Sequence, residues 1–100
     1  MGSSLTKSAA LKPGARAVLD VKVEQSLSAL KEARRLVGLR SYGPNLKQIV
    51  ARTYDLFEEI DELLLALNPT KEHDAFAIVA ALHRRFEEIQ SLIPRAERRN

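Results

Sequence analysis

The chain predicts an all-α fold, a single up-down-up antiparallel three-helix bundle, on three observations. Three stretches place their apolar residues at spacings of three and four, glycine or proline marks the breaks between them, and the connectors are short enough to set successive helices antiparallel. Composition agrees: 100 residues with 45% hydrophobic content are enough for one core and too few for two.

Residues 1–14 are small and polar and end in Pro13-Gly14, so they read as a flexible N-terminal lead. A first helix over 15–38 follows from the stripe Leu19, Val23, Leu27, Leu30, Ala33 and Val37. Gly38 reads as its left-handed ending, with Leu39 as the apolar residue that packs back in a Schellman motif. Pro44 suits the first turn of a second helix, whose missing N–H partner is no loss there. That helix is predicted over 44–67 from Leu46, Ile49, Val50, Leu56, Phe57, Ile60, Leu63, Leu64 and Leu67, with Asn68-Pro69 as its stop. Thr70 reads as the cap of a third helix over 71–93, where Ala75, Val79, Leu82, Phe86, Ile89 and Ile93 make the stripe and Glu72 and Asp74 complement the amino-terminal dipole. Pro94 ends it, and 94–100 reads as a basic mobile tail. Phe57 and Phe86 are expected to meet in the common core, and Lys22 to lie opposite the acidic end of the second helix.

Cysteine is absent, which removes disulfides, thiolate metal sites and a cysteine nucleophile together. No apolar run approaches the ~20 residues that span a bilayer, and no signal-peptide pattern opens the chain. The expectation is a cytoplasmic, soluble protein with no membrane partner. The net charge of +3 is unevenly spread: residues 1–14 carry +2, 15–41 carry +3, 42–68 carry −3 and 69–100 carry +1. Such alternation points to charge partners within the bundle rather than to one basic face for nucleic acid.

The search for chemistry finds little. His73 and His83 are ten residues apart on one helix, outside the spacings that let two histidines share a metal. His83 belongs to a core-border stripe with Phe76 and Gln90, and His73 to a solvated first turn. Glu58, Glu59, Asp61 and Glu62 lack the inward Glu-x-x-His pattern of di-iron bundles and read as a solvated face. With no glycine-rich phosphate loop and no strand-borne nucleophile, the chain is expected to be no enzyme and to need no cofactor, metal or small-molecule substrate. Arg34-Arg35, Arg84-Arg85 and the tail arginines have acidic neighbours and no interleaved aromatics, so a nucleic-acid-associated basic helical protein is the alternative reading and not the first.

Two stripes are left over after the core is assigned. Tyr54, Glu58, Asp61 and Leu65 fall at spacings of four, three and four, directed away from the apolar stripe of the second helix. On the third helix Ala77, Ala81, Arg84 and Glu88 form a second outward line, beside Ala80 and Ser91. Isolated exposed apolar residues are ordinary and alanine is a good helix former, so either line is also compatible with plain solvated surface. The functional expectation is a non-enzymatic protein-protein interaction module presenting one of these faces to a partner protein or to a second copy of itself as a homodimer.

Residues 56–90 also resemble the last two helices of BAG domains, co-chaperone modules that engage the nucleotide-binding domain of a heat-shock chaperone. Leu56, Glu58, Ile60, the run Leu64 to Asn68 and the run Phe86-Glu87-Glu88-Ile89-Gln90 carry the resemblance. It implies a co-chaperone-like binding role for that helix pair. The chain departs from the pattern where an Arg-Lys pair is expected, with Leu82-His83 in its place and Arg84-Arg85 out of register, and where the connector aspartate is Asn68.

Overall fold

A computed structural model of the chain describes residues 14–98. Three long helices, α1 (Ala15–Gly38), α2 (Pro44–Leu64) and α3 (His73–Ser91), are followed by a single helical turn, α4 (Arg95–Arg98). The lead expected over 1–14 lies outside the described residues except for Gly14, as do Arg99 and Asn100 of the expected tail. Side-chain pairs fix the up-down-up order. Tyr54 reaches Gln90 while Asp61 faces His83, so numbers rise along α2 as they fall along α3. Arg16 bonds Glu72 and Asp74, which puts the starts of α1 and α3 at one end. Lys22 meets Glu59 at 2.7 Å, the charge match expected across the first helix pair.

The core draws Leu19, Leu30 and Val37 from α1, Leu46, Phe57 and Ile60 from α2, and Val79, Leu82, Phe86 and Ile89 from α3. Phe57 and Phe86 are 5% and 4% exposed. The helices do not pack evenly, because α1 lies mainly against α2 and more lightly against α3. Ser26 and Ala33 on α1 and Thr53 on α2 are small residues buried in the bundle, and small side chains let helix backbones approach closely. Thr53 satisfies its hydroxyl by donating to the Ile49 carbonyl at 2.8 Å, whereas the Ser26 hydroxyl is buried without a partner, a burden of about 1–3 kcal/mol. The α2–α3 seam is aromatic. Phe57 and Phe86 meet edge to face at 5.3 Å, Tyr54 meets Phe86 at 5.0 Å, and the His83 ring leans on Phe57 at 4.5 Å.

The helix ends differ from the sequence reading in instructive ways. Gly38 does not take the left-handed conformation; it closes α1 with ordinary helical geometry, and Arg40 takes positive φ, at 58°. The Schellman motif is intact two residues further on, with the Ser41 N–H bonded to the Leu36 carbonyl and the Arg40 N–H to that of Val37. Packing explains the shift, since the longer helix buries both Leu36 and Val37, and Leu39, expected to pack back, is exposed instead. Helix α2 stops at Leu64 rather than at 67, and residues 65–67 continue in tighter i to i−3 bonds toward Asn68-Pro69. Thr70 is not a cap. Asn68 holds that role: its Oδ1 accepts the N–H groups of Thr70 and Lys71, its carbonyl accepts that of Glu72, and Pro69 occupies the first position of the turn. The turn breaks at Glu72 before α3 begins at His73, and α3 ends at Ser91 with Leu92 and Ile93 in tightened turns.

Two outcomes follow for stability. With Gly38 helical and its Cβ position free of any contact closer than 3.5 Å, Gly38→Ala should stabilise the chain by roughly 0.5–1 kcal/mol. Arg40→Gly should stabilise by about 1 kcal/mol by relieving positive φ, and denaturant midpoints measure both; a destabilising Gly38→Ala would put the helix end back at Gly38. Phe57→Ala or Phe86→Ala should each cost about 3–5 kcal/mol, and a variant melting like the parent would dismiss the aromatic seam.

Candidate functional site

A concave surface with largely apolar walls forms where the α1–α2 connector meets the end of α3. The turn at Arg40 swings the chain so that Tyr42 lies half-buried against the core, and Pro44 then starts α2. Leu46, Val50 and Tyr54 follow at four-residue intervals along α2 and face one way. With Ala51 beside them and Gln90 and Ile93 opposite, they bound a groove of 240 Å³ whose rim also carries Lys47 and Glu97. Tyr54 is held rigidly there, its ring edge to face with Phe86 and its hydroxyl accepting a hydrogen bond from Gln90 Nε2 at 2.7 Å. A cavity of about 150 Å³ suffices for a benzene ring, so the groove has room for an aromatic or branched side chain, with polar groups of both signs at its edge.

The two predicted stripes fare differently as surfaces. Glu58 is exposed and so is Leu65, at 86%, the residue that follows the last of α2. Tyr54 is 53% exposed yet leans on α3, and Asp61 approaches the His83 ring nitrogen at 3.5 Å, so these two stand on the rim of the α2–α3 seam instead of facing away from the bundle. On α3, Ala77, Arg84 and Glu88 are exposed and Ala81 is half-buried, close to the outward line expected. His83 occupies the border position beside Phe57, and His73 is exposed. Among the described residues no group of three carboxylate or histidine side chains could share a metal ion, and no helix is long and apolar enough to cross a membrane.

Sequence reasoning missed the groove because the four-residue spacing of Leu46, Val50 and Tyr54 on α2 does not show that the connector, the end of α3 and α4 close around it. Tyr42, an aromatic in a five-residue connector, was the one available signal. It also missed the role of Arg16. From the first turn of α1 this guanidinium binds Asp20 at 2.9 Å, Glu72 at 2.6 Å and Asp74 at 2.9 Å, tying the start of α1 to the start of α3. The Arg16 hydrogen bond holds the Asp74 carboxyl below its ordinary value, and Asp74 with its two partner carboxylates raises that of Arg16. Arg35 lowers Glu32 in the same way within α1.

Comparison with protein-family models, with curated proteins and with solved structures finds no match for this chain. The residues that resemble a BAG helix pair are largely spent on packing: Leu56, Ile60, Phe86 and Ile89 are buried, Gln90 is bonded to Tyr54, and the Leu64 to Asn68 run straddles the end of α2.

Because Asp74 is depressed in the folded chain, its contribution to stability is fully present above 3.8, the ordinary aspartate value, and is lost as the pH falls from there through the folded value. Arg16→Ala should therefore lower stability at neutral pH, and the gap between variant and parent should close in acid. A gap that stays constant from pH ~7 to pH ~2 would remove the clamp from the account.

Proposed function

We propose that this chain is a non-enzymatic protein-interaction module whose groove at Tyr42 and Tyr54 receives an apolar side chain of a partner protein or of a second copy of itself. The groove carries the reading: two tyrosines and three aliphatic side chains border concave surface that the bundle leaves open. Aromatic residues held in one orientation lose little freedom on binding and dominate the energetics of many interfaces. A fold stabilised without cysteine suits a reducing compartment such as the cytoplasm.

Tyr54→Ala is a poor test, since it also removes the contact with Phe86 and the bond from Gln90. Ala51→Glu is cleaner, because Ala51 is exposed and lines the groove without entering the core. Its effect on stability should be within about 0.5 kcal/mol, whereas loss of an interface anchor costs about 2 kcal/mol, or roughly thirtyfold in affinity. Sedimentation equilibrium of the chain alone reads self-association, and titration with each purified partner reads the other case. Unchanged affinity in the Ala51→Glu protein for its own copy and for every partner would exclude the groove.

A further inference from the structure

The flank of α3 turned from α2 toward α1 carries surface that the bundle does not use. Ile78, Arg85 and Leu92 recur at seven-residue intervals, two helical turns apart, so they form one line along that flank. Ile78 is 42% and Leu92 50% exposed, and Arg85 is exposed between them. Arg34 of α1 joins Arg85, Glu88, Ile89 and Leu92 around a cleft of 340 Å³, and Lys31 lies three residues before Arg34 on the same helix. Among the described residues, Arg16, Lys22 and Arg35 each have a carboxylate within ion-pair distance, whereas Lys31, Arg34 and Arg85 have none. Glu88 stands at the cleft without pairing to either arginine.

We infer that this flank docks an acidic amphipathic helix of a partner protein. The cleft of Arg34, Arg85 and Leu92 opens between α1 and α3, and a fourth helix laid along this flank would complete a four-helix arrangement. Its apolar residues, at seven-residue spacing, would cover Ile78 and Leu92, and its carboxylates would pair with Lys31, Arg34 and Arg85. A nucleic-acid duplex fits less well, because its phosphates would meet an aliphatic side chain on either side of Arg85 and Glu87 and Glu88 at the edge of the patch. The inference rests on the interaction-module reading and uses a face other than the groove, so the two can fail separately.

The test titrates the isotope-labelled chain with a synthetic helical peptide of about three heptads, leucine on one face and glutamate beside it, and follows backbone amide shifts. Shifts should gather at Lys31, Arg34, Gly38, Ile78, Arg85 and Leu92. Binding should weaken about tenfold or more in Arg34→Glu/Arg85→Glu and on raising the salt, and the same peptide with lysine for glutamate should not bind. Leu92→Lys, assayed alongside, reads the apolar half of the site and serves if the double variant does not fold. No shift at millimolar peptide, or parental affinity in the charge-reversed chain, overturns the inference. Shifts confined to the Tyr42–Tyr54 groove overturn it and leave the module reading standing. A DNA duplex that moves the same amides as strongly in Leu92→Lys as in the parent also overturns it, in favour of phosphate binding.

Discussion

Phe57 packs edge to face on Phe86 between two helices, and the width of that contact decides where the molecule has spare surface. Two rings with centroids 5.3 Å apart need more room than Ser26 and Ala33, buried on α1, and Thr53, buried on α2. Helix α2 is therefore drawn close to α1 and held off α3, and α3 touches α1 only lightly. Shallow furrows run along both flanks of α3 as a result. The Tyr42–Tyr54 groove opens on the flank toward α2, and the cleft of Arg34 and Arg85 on the flank toward α1. Neither is an ornament added to a finished bundle. Both follow from filling one seam with aromatics and another with small residues.

The two ends of the bundle are also unlike. At the end where α1 and α3 begin, Arg16 gathers Asp20, Glu72 and Asp74, so opposite charges close the gap between the helices. Carboxylates at the start of α3 suit its dipole, while an arginine in the first turn of α1 opposes the dipole there and is compensated by the carboxylates it binds. At the other end no ion pair among the described residues joins α1 to α3. Arg34 of α1 and Arg85 of α3 line the cleft there, and both stay unpaired among the described residues. Charge that locks one end is left available at the other.

The stripes of α1, α2 and α3 could be read from the sequence because helical periodicity is local: burial of Leu30, Ile60 and Leu82 follows from spacing alone. The ends were less legible. Gly38 carries the residue-level signal for a left-handed stop, but ending there would forgo part of the burial of Leu36 and Val37, so the bend moves to Arg40 despite its Cβ. Asn68-Pro69 was legible as a stop and is equally a start, because an asparagine side chain caps the turn that a proline opens. Tyr54 shows a different limit. Spacing gives its angle around α2 but not the position of α3, and without that position an outward residue cannot be told from one on a seam. The groove is further from sequence still, since it draws on the connector and three helices at once.

Leu92 and Ile93 show how closely the two surfaces are joined. The tightened turn after Ser91 directs these consecutive residues apart, Leu92 into the basic cleft and Ile93 into the tyrosine groove, and Pro94 prevents the helix from continuing past them. An occupant that pulls on either side chain must therefore act on the same short turn. Helices α1 and α2 form the close pair of the molecule, while Leu92 and Ile93 follow α3 in i to i−3 bonds.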